Sequence, residues 1–196
     1  AQSRKRQGHK IHHRQVVGES PKIKSGSMAA EKSPFFPAGL AAAGLLGLTT
    51  QVSKRQEVST SALSLPRKLL AENTKIHRAR PAAWNQLESK DAAMLELLRN
   101  RARNSELPPA ETLRRILSQL SDPQRFENLV KVAKTEPPRV RAMLGAIGQQ
   151  LRKPQSLLNK LKDSLNPATR YDFGVLAGLK YAPLWYAKVN SGHETF

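Results

Sequence analysis

Between Ala82 and Leu165 apolar residues return at helical spacing in about five successive stretches, and a proline precedes each of the last four. Leu87, Met94, Leu95, Leu98 and Ala102 mark the first stripe, with Asp91 as a polar interruption. Leu113, Ile116, Leu117 and Leu120 mark the second, and Phe126, Leu129, Val130 and Ala133 the third. Val140, Met143, Leu144, Ile147 and Leu151 form the fourth; Leu157, Leu158, Leu161 and Leu165 form the fifth. Pro108-Pro109, Asp122-Pro123, Pro137-Pro138 and Pro154 fall at or near first turns, where the missing N–H costs nothing. Each stripe must be buried against another element, and links this short favour packed neighbouring helices. No heptad persists past about three turns, which excludes a coiled coil. The stretches resemble one another too poorly, and are too few, for a helical solenoid.

The N-terminal half has a different texture. Phe35 to Leu48 is an unbroken run of apolar residues, glycine and proline. It is too short to span a bilayer, and a signal peptide would carry its charged region closer to the start. It reads as a short buried helix opened by Pro37 and closed by Gly47. Leu48–Val52 and Glu57–Ser61 are rich in β-branched and hydroxyl residues and read as strands. Arg67–Ala71 and Lys75–Ala79 flank Glu72-Asn73-Thr74 and read as a β-hairpin, with His77 an ordinary strand residue. At the other end, Tyr171, Phe173, Tyr181, Trp185 and Tyr186 cluster. Core closure is the first reading of that cluster and an exposed partner site the second. The expected fold is therefore α+β: a short helix and a small β-sheet or hairpin region over 34–80, then a helical part of about five helices over 81–190 packing on it. Residues 191–196 read as a frayed tail and 1–33 as a basic, flexible arm.

Charge narrows the partners. The 196-residue chain carries 33 Lys and Arg against 15 Asp and Glu, a formal net charge of +18. This points to polyanions or acidic proteins. Residues 1–80 hold 15 of the basic and 4 of the acidic side chains, so the N-terminal part is the denser polycation. Arg4, Lys5, Arg6, Lys10 and Arg14 are candidate phosphate contacts on the arm, a solvated tail being the alternative. Lys54, Arg55, Arg67, Lys68, Lys75 and Arg78, with Arg80, are candidates for one positive face around the hairpin. A solvated sheet face with edge-protecting charges explains them equally well. The acid-poor N-terminus also resembles an organellar transit peptide.

The sequence has no cysteine, which excludes disulfide scaffolds, thiolate zinc sites and thiol catalysis. His9, His12 and His13 lack nearby carboxylates and read as tail residues rather than metal ligands. There is no glycine-rich phosphate loop and no serine elbow. The carboxylate pairs Glu88/Asp91 and Asp163/Asp172 sit among lysines and arginines at positions expected to face solvent. General acid–base work needs a carboxylate in a cleft with a perturbed pKa. A binding protein without catalytic residue, cofactor or metal is the expectation.

Pro37-Ala-Gly-Leu-Ala-Ala-Ala-Gly-Leu-Leu-Gly-Leu-Thr-Thr-Gln-Val52, then Arg55, Glu57-Val-Ser-Thr60 and the basic segment 67–79, resembles the post-DNA-binding domain of AbiEi-type antitoxins. The resemblance covers roughly residues 34–80. It implies a transcriptional regulator of a bacterial type IV toxin–antitoxin pair, cytoplasmic, countering a nucleotidyltransferase-like toxin. It also implies an N-terminal winged helix that binds an operator. Residues 1–33 lack the apolar periodicity of such a domain, so no DNA-reading residue carries over. The expectation is thus a non-enzymatic antitoxin-like protein with a toxin partner and possible DNA binding, without membrane association. A basic DNA- or RNA-associated protein using its polybasic arm is the alternative.

Overall fold

Phe35–Pro37 (β1), Glu57–Thr60 (β2) and Lys75–His77 (β3) form a three-stranded sheet in the order β1-β2-β3. The computed structural model describes residues 35–64 and 73–188. Strand β1 is antiparallel to β2, with Phe35 opposite Thr60 and Pro37 opposite Val58. Strand β3 is parallel to β2, with Val58 opposite Ile76. Helix α1 spans Gly39–Leu45, α2 Ser89–Arg99, α3 Pro109–Leu120, α4 Pro123–Val132, α5 Pro138–Gln150 and α6 Gln155–Lys162. The α+β class expected from the sequence is the class observed, and the five apolar stripes correspond to α2 to α6.

The small-residue run departs from expectation at its start. Pro37 does not open the helix; it ends β1, and α1 begins at Gly39. An edge strand tolerates the proline because its missing N–H removes no ladder bond from the sheet centre. Gly47 does close the helix, at φ +68, with Leu48 N–H donating to Ala43 O at 2.9 Å. Leu48–Val52 is not a strand. Glu106 occupies its backbone instead: Thr50 N–H donates to Glu106 Oε2 at 3.0 Å, and the Thr49 hydroxyl donates to the same oxygen. Glu106 N–H returns a bond to Leu48 O at 3.0 Å. Strand β3 pairs with β2 rather than being shown in a hairpin. Its expected partner, Arg67–Ala71, lies outside the described residues.

Helix α2 is the hub. Every residue from Asp91 to Leu98 is buried, which a helix achieves only when it is packed on all sides. Helices α1, α4 and α5 and strand β1 all lie against it. The expected start of this helix at Ala82 is a 3-10 segment, Ala82–Gln86, which carries the buried Trp84. Phe36 of β1 meets Trp84 edge to face at 5.8 Å, so sheet and helices share one core.

The C-terminal aromatics close that core, as the first reading had it. Tyr171, Phe173 and Trp185 are buried, while Tyr181 and Tyr186 are half-buried. The Trp185 ring packs closely on Gly145 of α5, and its Nε1–H donates to Gln149 Oε1 at 2.6 Å. Lys162 Nζ stands 4.7 Å above the Trp185 ring and 4.4 Å above Tyr186. A Cβ built on Gly145 would come within 2.0 Å of the Trp185 ring.

Replacing glycine by alanine inside a helix ordinarily gains up to ~1 kcal/mol. At Gly145 the overlap reverses the sign, and Gly145→Ala is expected to cost about 1–3 kcal/mol. Gly44→Ala, where the nearest atom would be Thr49 O at 3.9 Å, is expected to be neutral or mildly stabilising. Urea denaturation of the two variants beside the parent chain measures both.

Candidate functional site

Three carboxylates, Asp91, Glu96 and Glu136, are buried. Glu136, at the start of the link into α5, is 3% exposed. Its Oε1 accepts from Trp84 Nε1–H at 2.7 Å and from Arg99 Nη2 at 3.0 Å, and its Oε2 accepts from Arg99 Nε at 2.7 Å. Arg99 and Arg80 guanidinium groups stand 5.3 Å and 5.7 Å from the Trp84 ring centre. Arg80 in turn grips the buried Glu96 of α2 with two donors. Asp91, expected at the surface, is also buried, and Arg125 Nε donates to it at 2.9 Å. A helical position inside an apolar stripe is buried whatever residue it carries, so an acid there must bring its own cation.

The sequence-predicted basic residues divide into three groups. Arg4, Lys5, Arg6, Lys10, Arg14, Arg67 and Lys68 lie outside the described residues. Lys54, Arg55 and Arg78 are exposed, and Arg55 and Lys75 line one shallow hollow with Asn73 and Thr74. Arg80 leaves the expected positive face, being turned inward to Glu96. Lys75 is partly neutralised, its Nζ lying 3.5 Å from Glu57 Oε2. His77 has a partner too, with Nε2 2.8 Å from the same oxygen. Burial works to raise the Glu57 carboxyl, but His77 and Lys75 outweigh it and hold it below the ordinary value. Gly39, at φ +56, leaves room for this carboxylate, since a Cβ there would come within 2.5 Å of Glu57 Oε2.

A larger concave surface was not among the sequence candidates. A groove of about 420 Å³ runs between α4, α5 and α6. Its floor is apolar, from Val130, Ala133, Leu157 and Leu161. Lys131, Lys134, Arg141 and Lys160 stand around it against the single acid Glu127. None of these four cations has a carboxylate within 4.0 Å among the described residues. The Arg141 Nε–H is buried without a hydrogen-bond partner there. The sequence signal was present in the lysines flanking the α4 and α6 stripes, but which helices face each other across the groove is a tertiary matter.

One further ion pair lies at the turn that follows α2. Arg101, at φ 58, bonds Asp172 through Nη1. Gly174 N–H donates to Asp172 Oδ1 at 2.9 Å. That backbone bond, more than Arg101, holds the Asp172 carboxyl below its ordinary 3.8 against the opposing effect of burial. Asp172 was expected to face solvent; it is half-buried and engaged. No group of three or more His, Cys, Asp or Glu suited to a metal occurs among the described residues. The chain matches no protein-family model, no curated protein and no solved structure.

Two variants test this electrostatic layout. Glu136→Ala leaves Arg99 and the Trp84 N–H without their acceptor and is expected to cost about 3–5 kcal/mol in denaturant titration. Asp172→Asn acts through pH. A depressed carboxylate contributes stability above its unfolded pKa and loses it as pH falls through the folded value. The Asp172 side chain is 41% exposed, so solvent screening limits the effect to about 1 kcal/mol near neutrality. The difference from the parent chain should shrink toward zero as pH falls through the folded value, which lies below the ordinary 3.8, and the parent's Asp172 takes up its proton.

Proposed function

We propose that this chain is a non-enzymatic, antitoxin-like regulator that holds a protein partner in the groove between α4, α5 and α6. The observation that carries the reading is the composition of the groove: an apolar floor within a ring of four cations and one acid. Such a surface suits an acidic segment that lays apolar side chains on the floor and carboxylates on the ring. The resemblance of residues 34–80 to AbiEi-type antitoxins supplies the partner class, a nucleotidyltransferase-like toxin, and the setting, a bacterial cytoplasm. Among the described residues no helix is long and apolar enough to cross a membrane.

A second reading, a basic DNA- or RNA-associated protein, is favoured by the net charge of +18 and by the exposed Lys54, Arg55 and Arg78. The two readings differ in salt dependence. Contacts to phosphates release counterions and weaken steeply with salt. Contact with an apolar floor survives it, while the cationic ring chiefly sets the rate of encounter and the register.

Tagged chain is drawn from native lysate after nuclease treatment, washed in high salt and read by mass spectrometry. One nucleotidyltransferase-like protein recovered in near-equal amount supports the antitoxin reading. Nucleic acid recovered before nuclease and no protein after it supports the alternative. Lys134→Glu combined with Lys160→Glu should lower capture of the protein partner on the order of tenfold. Both side chains are exposed, so stability should move by less than about 0.5 kcal/mol.

A further inference from the structure

Away from the groove, two charged side chains stand near the Arg101–Asp172 pair without an acid of their own. Arg139 is in the first turn of α5 and Arg103 follows the turn after α2. Arg139 Nη2 donates to Arg99 O at 3.0 Å, which pins the guanidinium at the end of α2. Its Nε–H is buried and has no hydrogen-bond partner among the described residues, and the same holds for Arg101 Nε–H. Arg103 is exposed, with no carboxylate within 4.0 Å among those residues. Burial first, then the charges of Arg101 and Arg103, pull the Arg139 guanidinium below the ordinary arginine value, with Asp172 opposing.

Asp172 thus pairs with Arg101 alone, leaving the positive charges of Arg103 and Arg139 without a carboxylate within 4.0 Å among the described residues. The backbone is built to bring them together. Arg101 and Ala102 both adopt left-handed angles, φ 58 and 57, which fold the chain sharply after α2. Gly174, at φ +53, lets the 172–174 segment close on that turn, since a Cβ there would come 2.8 Å from Arg101 Cβ and 2.9 Å from its carbonyl oxygen. Left-handed non-glycine residues in succession carry a conformational cost that persists only where the surroundings impose it.

We propose that Arg101, Arg103 and Arg139 form a binding site for a phosphate group, on the surface where the turn after α2, the start of α5 and the Asp172 loop converge. A phosphate supplies the two missing charges and meets the outer Nη groups in the forked geometry guanidinium favours. Asp172 keeps Arg101 oriented and limits the site to one phosphate rather than a diffuse cloud of anions. The phosphate belongs either to a nucleic-acid backbone or to a small phosphorylated molecule. This site goes beyond the protein-partner reading and does not depend on it.

The test uses the full chain and its variants Arg103→Ala, Arg103→Ala with Arg139→Gln, and Lys90→Ala, an exposed cation elsewhere on α2. Binding of a labelled DNA duplex is followed by fluorescence anisotropy between about 50 and about 200 mM salt, and binding of inorganic phosphate by calorimetry. For a backbone phosphate, the double variant should lose on the order of tenfold in duplex affinity, with a salt slope shallower by about 1, and Lys90→Ala should lose far less. For a small phosphorylated ligand, phosphate should bind the parent chain, and the double variant should lose on the order of tenfold while its duplex affinity stays unchanged. Circular dichroism melting of each variant confirms folding, and Arg103→Ala alone, at an exposed position, gives the same direction of change in a chain whose stability is unaltered. The proposal is overturned if neither probe binds the parent chain, if the arginine variants match it with both probes, or if Lys90→Ala loses as much as they do.

Discussion

Glu136 is the group on which the rest of the structure leans. A carboxylate that is 3% exposed is costly unless every lone pair is used, and here Arg99 and the Trp84 indole use them. Through Arg99 the bond reaches the end of α2, and through Trp84 it reaches the 3-10 segment that follows the sheet. Trp84 in turn touches Phe36 of β1 and has the guanidinium groups of Arg80 and Arg99 near its ring. One buried charge therefore ties the strands, the hub helix and the link into α5 in fixed relation. An apolar residue in its place would fill the space without fixing that register.

Several acids hold the fold together. Glu57, Asp91, Glu96, Glu106, Glu136 and Asp172 each serve a strand end, a helix or a turn. Asp91, Glu96, Glu136 and Asp172 each take one arginine as partner, so these pairs cancel and leave the net charge of +18 to the other residues. The groove between α4 and α6 is one result, with lysines standing around an apolar floor. The arginines beside Asp172 are another.

Much of the helical layout was legible. The stripes from Leu113, Phe126, Val140 and Leu157 became α3, α4, α5 and α6, because apolar period and proline punctuation report burial and chain termination directly. The strand at Leu48–Val52 was misread because a hydroxyl-rich, β-branched segment satisfies its backbone equally well on a side-chain acceptor. Glu106, remote in sequence, supplied that acceptor. The surface expected for Asp91 and the positive face expected for Arg80 failed for a shared reason. Each has a partner across the fold, Arg125 and Glu96, that no local pattern reveals.

The sequence alone determined where α3 to α6 begin, that Gly47 closes α1, and that the chain presents an excess of positive charge. These properties depend on neighbours a few residues away, on proline and glycine geometry, and on simple composition. The tertiary structure alone decided which acids are buried with which arginines and that β3 lies parallel to β2. It also decided that three helices enclose a cation-ringed groove and that Arg101, Arg103 and Arg139 gather beside Asp172. Those outcomes join residues far apart along the chain, and their energies exist only once desolvation and packing have brought the partners together.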